Sequence, residues 1–449
     1  MRMRQGCATG LAVVALGIAC DAQGAGFALK EQSTTAQGNA FAGATAGADD
    51  ISYMFFNPAA LARHDGAQVQ SMVTYIRPQV RAEGATATTV VGNTIEGGTN
   101  SGEIAPNVFL PALYASWQAR NDLRFGLGIN APFGLSTENP SDWVGRYHGT
   151  RSELKTININ PAVAWNPTRY LALGAGIQVQ YAEATLENAV DFGTIAAIPP
   201  ISGALGGTPG SLADDGSAKV EGNDWSTGFN VGVLVMPTER TRFGAAFRSA
   251  IKHRIEGDAE FDTGTGVGSA VSAATGLFVD TGAQADITLP AMASFGVHHD
   301  LTDEWAVMGE VQWTNWATFD ELVIEFDNAQ PDNVTTEKWN DSFFVALGAT
   351  YRPKDTGLTF RLGVAHDETP VEGSFRTPRI PDASRTWLSA GVGYRVGDHV
   401  DLQASYTRIW VEDADIDLAA NGENGVRGNL TTRYESSIDL FGVSARLKF

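Results

Sequence analysis

The sequence predicts an all-β protein, a transmembrane antiparallel β-barrel of about fourteen strands with an N-terminal hatch of short helical segments inside the lumen. From residue 67 onward, apolar residues alternate with small or polar ones, and this period of two places the two sets on opposite faces of a strand. The chain holds 50 glycines among 449 residues, and only 18% of its residues are charged. The longest apolar run, residues 10–19, is too short for a membrane-spanning helix, which needs about 20 residues.

Residues 1–24 have the pattern of a cleavable signal peptide. Two arginines precede an apolar stretch over residues 11–19, and small residues surround a predicted cleavage position after Gly24. Ala22 and Ala25 are alternative cleavage positions. The pattern therefore predicts export from the cytoplasm.

Both cysteines, Cys7 and Cys20, lie in this leader. A lipoprotein signal ending at Cys20 is a weaker alternative, because Gly17 stands where an aliphatic residue is preferred. The predicted mature chain therefore contains no thiol and no disulfide, although its destination is oxidising. The formal net charge of −20 argues against nucleic acid as a partner, because the phosphates would be repelled.

Residues 25–66 differ from the segments on both sides. They are rich in glycine and alanine, they show no sustained period, and they include the tripeptide Asn57-Pro58-Ala59 close to their end. We predict that this segment is a hatch, which plugs a pore formed by residues 67–449. The chain thus divides into a signal peptide, a hatch and an outer-membrane barrel.

Fourteen segments have strand character, an even number as expected for a bacterial barrel whose two ends lie in the periplasm. Short turns alternate with longer connections, as periplasmic turns alternate with extracellular loops. Closure of the barrel would leave no unpaired strand edge in the lipid. The predicted strands begin near Ala67, Ala105, Asn121, Ser152, Thr168, Asn223, Glu239, Gln284, Thr302, Lys338, Gly357, Ala383, Gly397 and Thr431.

Aromatic residues recur near the ends of these strands, which is typical of the girdles at the two membrane interfaces. The alternating last strand ends the chain at Phe449 and resembles the signal by which outer-membrane proteins are recognised for assembly. We therefore predict the outer membrane of a Gram-negative bacterium as the location, with its lipid, its lipopolysaccharide and the barrel assembly machinery as partners. The girdle residues are Tyr75, Trp117, Trp165, Trp305, Trp313, Trp387 and Tyr394.

Two connections are long, residues 188–222 and 262–283, and both are more apolar than extracellular loops need to be. Loops of this length are usually functional or disordered. A water-filled porin would line its mouth with charge, so the apolar loops indicate a hydrophobic solute. The alternative is that the two loops simply pack on each other.

The sequence resembles the FadL-type outer-membrane transporters of long-chain fatty acids and related hydrophobic compounds. The resemblance spans nearly the whole predicted mature chain through short patches in a common order. These patches are Ala25-Gly26-Phe27, Gly43, Ala46, Ala48-Asp49-Asp50, Asn57-Pro58-Ala59, Ile104-Ala105-Pro106, Phe133-Gly134-Leu135, Ile380-Pro381-Asp382, Arg385 and Trp387-Leu388-Ser389-Ala390.

This resemblance implies a monomeric transporter for hydrophobic small molecules, without a cofactor or a metal. The substrate would be captured between two long extracellular loops, pass to a pocket at the N-terminus of the hatch, and leave sideways through a kink in the third strand. It implies substrate contacts at Phe27, Phe133 and Arg385, and hatch anchoring by Asp49, Asp50, Asn57, Pro58 and Ala59.

The lateral exit also follows from the residues at the predicted kink. Pro132 lacks a backbone donor and Gly134 permits backbone angles that other residues resist, so both disrupt strand pairing. The alternative is that Pro132 merely marks the end of the strand. Where fatty-acid transporters of this family carry basic pocket residues, the sequence has Asn188 and Asn340. This departure leaves an aromatic-hydrocarbon channel of the same family as the alternative function, unless another basic residue such as Arg385 takes over.

Three other kinds of barrel are less consistent with the sequence. No Gly-x-Ser-x-Gly or His-Glu-x-x-His motif supports an enzyme, and His298-His299-Asp300 is predicted to be a turn. A diffusion porin would not need a plug. An adhesin would differ from a transporter in binding no small hydrophobic substrate.

Overall fold

The computed structural model describes residues 25–201 and 203–449, so the predicted signal peptide lies outside the described residues. The chain forms a single antiparallel sheet of twenty strands that closes on itself, because the first strand pairs with the last. The strands are β1 (Ala67–Thr88), β2 (Val108–Arg120), β3 (Leu123–Asn130), β4 (Gly134–Glu138), β5 (Arg151–Thr168), β6 (Leu171–Asp191), β7 (Asp215–Val235), β8 (Thr241–Arg248), β9 (Ile251–Asp262), β10 (Thr281–Leu289), β11 (Met292–Asp300), β12 (Trp305–Thr314), β13 (Glu321–Phe326), β14 (Asn333–Thr336), β15 (Ser342–Tyr351), β16 (Leu358–Asp367), β17 (Arg385–Val396), β18 (Val400–Val411), β19 (Ala414–Leu418) and β20 (Asn429–Lys448).

Fourteen spans form the barrel, and six of them are interrupted, which accounts for the twenty strands. The interrupted spans are β3 with β4, β8 with β9, β10 with β11, β12 with β13, β14 with β15, and β18 with β19. The predicted barrel class and strand number are confirmed. The predicted starts agree well with the strands, and the largest difference is at β7, which begins at Asp215 rather than Asn223.

The two long connections are shorter than predicted, because strands β6, β7 and β10 extend further than their sequences suggest. The first connection covers residues 192–214 rather than 188–222 and begins with helix α2 (Phe192–Ala197). The second contains helix α3 (Val267–Thr275), whose Val271 is fully buried. Val267 and Val271 pack with Phe192, so the two loops contact each other.

The outer face of the barrel is apolar, as a lipid-facing surface requires. Large exposed side chains such as Phe109, Ile177 and Leu347 stand on it. Predicted girdle residues Trp117, Trp165, Trp305 and Tyr394 are among the exposed side chains. A row of rings also crosses four neighbouring strands, with centroids 5.0 to 6.3 Å apart, and it consists of Phe109, Tyr75, Phe441 and Tyr406.

Two residues lie elsewhere than predicted. Trp387 is not a girdle residue, because its side chain faces the lumen and packs on Phe41 of the hatch and Phe344. His298 is not in a turn, because it belongs to β11, where its buried ring lies 3.2 Å from a carboxylate oxygen of Asp300. In both cases the direction of the side chain is set by the alternation along its strand. The local sequence did not show which face of that strand is turned to the lumen.

The hatch, residues 25–66, fills the lumen and is almost entirely buried. It contains helix α1 (Thr34–Gln37) and two 3-10 helices, Ile51–Phe55 and Pro58–Arg63. Three further 3-10 helices, Leu212–Asp214, Trp316–Thr318 and Gly422–Asn424, lie between strands. Among the described residues, no helix is both long and apolar enough to span a membrane.

Glycines of the barrel wall let the main chain of the hatch approach closely. A Cβ atom at each of three such positions would overlap the hatch backbone. It would stand 2.2 Å from Ala59 N at Gly174, 2.1 Å from Thr45 O at Gly244, and 2.0 Å from Asn39 O at Gly363. The hatch and the barrel wall are therefore in direct main-chain contact at several heights.

We expect Gly363→Ala to loosen the hatch, because the added methyl group would meet a main-chain oxygen that cannot rotate away. Overpacking of this kind costs about 1–3 kcal/mol. The measurement is ion conductance of the purified protein in planar bilayers, which should rise in Gly363→Ala and rise further when residues 25–63 are deleted. Gly309→Ala is the control, since its Cβ would have no neighbour closer than 3.5 Å. A deletion variant as tightly sealed as the wild type would contradict the assignment of the hatch.

Candidate functional site

The first residues of the hatch pair with the interrupted third span of the barrel. Leu29 N donates to Pro132 O at 2.8 Å, and Gly134 N donates to Phe27 O at 3.0 Å. An antiparallel bridge between Ala28 and Phe133 lies between these two bonds. The N-terminus of the hatch is thus held by residues 132–134. Residues 132 and 133 lie between β3 and β4, and Gly134 is the first residue of β4.

Phe27 is buried in a cluster of aromatic side chains. Its ring centroid lies 4.6 Å from Trp316, and 5.6 Å from both Phe319 and Trp339. The ring of Phe133 is 6.3 Å away, so the structure brings together two of the predicted substrate contacts. Sequence reasoning missed the other three aromatic residues, which come from the interrupted spans between β12 and β15.

An apolar cavity of about 80 Å³ lies against Phe27 on the extracellular side of this cluster. Its wall comes from residues of β4 to β7, β9, β10 and β13, and from the segments that follow β12, β14 and β16. The apolar lining includes Leu135, Leu154, Ala184, Leu186, Val220, Ile255, Ala283, Ile287, Phe319, Leu322, Ile324 and Ile380. This cavity can hold a hydrocarbon chain but offers few polar groups.

A larger cavity of about 480 Å³, the mouth cavity, lies between the two long loops. It is lined by Ile195 of the first loop and by Leu277 and Phe278 of the second. Leu186, Val220, Leu322, Ile324 and Arg379 line both this cavity and the apolar cavity, so the two are adjacent. The two cavities together are named the apolar route; its lining is mixed in polarity at the mouth and apolar next to Phe27.

Arg379 lies where the two cavities meet. Its guanidinium donates to Arg151 O, Ser152 Oγ and Glu187 O at 3.0 to 3.2 Å, and to Asn188 Oδ1 at 3.3 Å. All these acceptors are neutral, and in residues 25–201 and 203–449 no carboxylate oxygen lies within 4 Å of it. Burial, and then the positive charge of Arg427, lowers the pKa of Arg379 to about 10, so it remains protonated at neutral pH.

Glu337, in the loop between β14 and β15, lines the apolar cavity on the same side as Arg379. Its carboxylate accepts a hydrogen bond of 2.9 Å from Trp339 Nε1. Burial raises the pKa of Glu337 to about 8, so its carboxyl group is mostly neutral at pH 7. The charge of this end of the cavity therefore changes with pH.

Arg385, the third predicted substrate contact, lies outside the lining of the apolar cavity. It is fully buried and forms an ion pair with Asp382. Asp382 also accepts from Gly26 N at 3.1 Å and from Thr369 Oγ1 at 2.6 Å. Arg385 therefore supports the carboxylate that holds the start of the hatch, and no sequence signal distinguished it from Arg379.

The predicted anchoring residues all contact hatch or barrel groups. Asn57 donates to Thr45 O at 2.8 Å and to Val233 O of β7 at 3.1 Å, and it accepts from Ala59 N at 2.9 Å. Pro58 is the first residue of the 3-10 helix that Asn57 caps, a position where proline needs no donor. The Asn57-Pro58-Ala59 tripeptide thus joins two parts of the hatch to the barrel wall.

The two aspartates of the hatch differ in their partners. Asp50 accepts from Ser52 N at 3.0 Å and from the hydroxyl of Thr35, so it works within the hatch. Asp49 lies 3.6 Å from Arg352 and 3.4 Å from Arg361, both on the barrel wall. Burial alone would raise the pKa of Asp49, but these two arginines outweigh it and hold the pKa below its ordinary value.

The third span is interrupted at residues 131–133, and the wall is incomplete there. β2 pairs with β3 only as far as Leu113 and Ile129, and β4 pairs with β5 but not with β2. Continuing the register would bring Pro111 opposite residue 131, so prolines stand on both sides of the break, and neither can donate to a ladder. Sequence reasoning identified Pro132 and missed Pro111.

In the part of the chain that the structure describes, no three His, Cys, Asp or Glu side chains are grouped so as to hold a metal ion. The apolar cavity is lined mainly by hydrocarbon groups and contains one guanidinium, that of Arg379, whereas the mouth cavity adds Arg427 and several carboxylates. Such an arrangement can bind and pass a hydrophobic molecule with an acidic end.

Comparison with known proteins agrees with this architecture. The Long-chain fatty acid transport protein of Escherichia coli O6:H1 is 30% identical over 409 residues, which cover 88% of this chain and 90% of that protein. Outer membrane protein P1 of Haemophilus influenzae is 28% identical over 466 residues, with 98% of both chains covered.

Solved structures give the same result. A Pseudomonas aeruginosa FadL homologue has a TM-score of 0.86 and 25% identity, covering 95% of this chain and 100% of that one. The Pseudomonas putida toluene transporter TodX has a TM-score of 0.67 at 17% identity, covering 96% and 99%, and this likeness shows the fold alone.

A family model described as outer membrane protein transport protein (OMPP1/FadL/TodX) matches residues 15–449. This match covers the hatch, the complete barrel and every residue of the apolar route. The chain therefore belongs to the OMPP1/FadL/TodX family, and it is an outer-membrane transporter of hydrophobic compounds rather than an enzyme.

Proposed function

We propose that this protein takes up long-chain monocarboxylic acids through the outer membrane. The acid is captured in the mouth cavity, its chain enters the apolar cavity above Phe27, and it leaves sideways between β2 and β4. The observation that carries the choice of substrate is Arg379, a guanidinium without a carboxylate partner among the described residues, at the end of an apolar cavity.

A carboxylate is expensive to bury unless a charged donor compensates it. Arg379 can supply such a donor, because a guanidinium binds carboxylate oxygens through two parallel hydrogen bonds. Its Nη2 lies 3.3 Å from Asn188, one of the positions where fatty-acid transporters of this family carry a basic residue. Arg379 thus brings a cation from another loop to the place where the sequence departs from the family.

The similarity to named transporters supports the same choice. Among the solved structures, the Pseudomonas aeruginosa FadL homologue is 25% identical and the toluene transporter TodX is 17% identical. Uptake of aromatic hydrocarbons is the alternative function, because the wall of the apolar cavity is almost free of polar groups. In that case Arg379 would serve only to tie its loop to Arg151 and Glu187.

The N-terminus of the hatch is suited to act as the gate of the route. Phe27 lines the bottom of the apolar cavity, and its carbonyl oxygen is bonded to Gly134 of β4. A chain that pushes Phe27 out of its aromatic cluster would also strain the bridge to residues 132–134. Thr137 of β4 donates to Arg379 O at 3.0 Å. The residue proposed to bind the head group is therefore bonded directly to the strand at the proposed exit.

The break beside β4 is suited to act as the exit. By register, Phe109 of β2 would stand opposite Phe133, and Phe109 belongs to the exposed aromatic row. The break therefore lies at the height of the outer membrane interface, where aromatic side chains concentrate. Leu135 of β4 lines the apolar cavity, so the cavity extends to a strand that pairs with β5 but has no partner on the side of β2.

Replacing Arg379 by glutamine should weaken oleate binding about tenfold, since one charge-assisted pair is lost. Binding of a toluene-like hydrocarbon should be unchanged. Titration of the purified protein with both ligands, and uptake by cells grown on each, measure the two effects. Arg433→Gln is the control, because Arg433 is an exposed arginine paired with Asp415, away from the route. Equal oleate affinity in wild type and Arg379→Gln would favour the hydrocarbon channel.

Oleate affinity should fall as the pH rises through about 8, because Glu337 then ionises. Its negative charge offsets the positive charge of Arg379 and repels the carboxylate of oleate. We expect a loss of about fivefold between pH 7 and pH 9, typical of a charge in a partly buried site. Glu337→Gln keeps the acceptor for Trp339 and should bind oleate equally well at both pH values. A wild-type affinity that rises over this interval would rule out this role of Glu337.

Gly134→Val should reduce oleate uptake by roughly fivefold or more, because a branched side chain overpacks the break. The amount of folded barrel in the membrane should not change. Uptake of labelled oleate and heat-modifiable mobility on gels measure the two quantities. Gly309→Val, on the lipid-facing side of β12, is the matched control. Normal uptake by Gly134→Val would argue against lateral exit at this point.

A further inference from the structure

A second cavity, the polar cavity, lies beside the mouth cavity and has a volume of about 380 Å³. Four residues line both cavities and so form the partition between them: Thr335, Arg379, Glu423 and Arg427. The rest of its lining is mainly hydroxyl, amide and charged groups from the loops after β16 and β19. The proposed route for hydrocarbon chains does not use this cavity.

Arg427 resembles Arg379 in having only neutral hydrogen-bond acceptors. Its guanidinium donates to Asn333 Oδ1 at 2.5 Å, Val334 O at 3.2 Å, Thr335 Oγ1 at 3.4 Å and Asn424 Oδ1 at 3.5 Å. Within residues 25–201 and 203–449, no carboxylate oxygen lies within 4 Å of either guanidinium. Two arginines without an ion pair therefore face one partition, and their charges repel each other.

Two further groups around the polar cavity are a hydroxyl without a hydrogen-bond partner and a neutral histidine. The hydroxyl of Thr377, a residue only 9% exposed, has no hydrogen-bond partner among the described residues. His148 is buried, and burial together with the charges of Arg427 and Arg379 lowers its pKa to about 3. The imidazole is therefore neutral and adds no positive charge of its own.

The carboxylates of this lining are already engaged. Glu423 accepts from Thr336 N at 3.1 Å and from Thr336 Oγ1 at 2.9 Å. Asp417 accepts from Thr431 Oγ1 at 3.4 Å and is exposed to solvent. The negative charge of Glu423 acts on Arg427 from a distance, but no carboxylate oxygen of Glu423 or Asp417 lies within 4 Å of Arg379 or Arg427.

We propose that the polar cavity binds an oxyanion head group of the phosphate type, carried by a single-chain amphiphile whose chain lies along the apolar route. This inference rests on the proposed function, since the chain must use the same mouth and apolar cavities. Arg427 and Arg379 bind the oxyanion together, and Thr377 donates its free hydroxyl to it. The protein then accepts phosphorylated amphiphiles in addition to simple carboxylic acids.

Size and geometry favour this class of head group. The polar cavity, with a volume of about 380 Å³, has room for a head group larger than a carboxylate. A phosphate monoester has enough oxygens to accept from two guanidinium forks and a hydroxyl at the same time. A carboxylate has only two oxygens, and Arg379 alone can satisfy both.

The same chemistry could serve free phosphate, and the test separates the two sources. The full mature protein in amphipol is titrated calorimetrically with octyl phosphate, octanoate and inorganic phosphate. The variants are Arg427→Gln, Arg427→Lys and Thr377→Val, with Arg433→Gln as the control for loss of an arginine elsewhere on the extracellular side. Short chains keep the ligands in solution rather than in micelles.

We expect Arg427→Gln to weaken octyl phosphate about tenfold or more and octanoate by less than about twofold, because only the phosphate needs the second guanidinium. Arg427→Lys should recover part of the loss, since it keeps the charge but not the fork. Thr377→Val should lower the affinity for octyl phosphate about threefold. Inorganic phosphate should bind far more weakly than octyl phosphate.

An equal effect of Arg427→Gln on octyl phosphate and octanoate would overturn the proposal, and so would phosphate binding as tight as that of octyl phosphate. The proposed function fails separately, if the wild type does not bind oleate in the titration described above. An Arg427-dependent affinity for octyl phosphate in such a protein would still support the polar cavity as a head-group site.

Discussion

The rest of this structure depends on one constraint, that a backbone polar group in lipid must find its partner inside the protein. Pairing of β1 with β20 closes the sheet and meets this constraint around the wall. The break after β3 violates it locally, and hatch residues compensate: Leu29 and Phe27 exchange main-chain hydrogen bonds with Pro132 and Gly134. The hatch therefore both fills the lumen and supplies the bonds that the wall lacks at its weakest point.

Buried charges also need partners, and their pairing differs between the periplasmic and the extracellular end of the barrel. Toward the periplasm, the hatch is held by ion pairs between Asp49 and two wall arginines, where each charge has an opposite partner. Toward the extracellular side, Arg379 and Arg427 have only neutral acceptors among the described residues. Paired charges hold the hatch in place, and the cations that lack a carboxylate partner among the described residues lie along the proposed route of the ligand. Buried charge without a counterion is costly, which is why its location is informative about ligands.

Much of the fold could be predicted from the sequence because strand alternation is a local signal. All fourteen spans were evident in this way, whereas the hatch was predicted from the absence of such alternation over residues 25–66. Trp387 shows the limit: whether a tryptophan faces lipid or lumen depends on register, and one residue of register reverses it. The site was harder to predict. Arg379 and Arg385 lie six positions apart, and only tertiary contacts reveal that one lines the cavity while the other pairs with Asp382.

The contacts between wall glycines and the main chain of the hatch have a consequence for assembly. At Gly174, Gly244 and Gly363 the hatch backbone lies so close to the wall that there is no room for a Cβ atom. The hatch is also joined directly to β1, which forms one side of the closing seam with β20. We therefore expect the hatch to pack against the open sheet before β1 pairs with β20, so that the barrel closes around the hatch. On this expectation, membrane insertion and sealing of the pore would be one event.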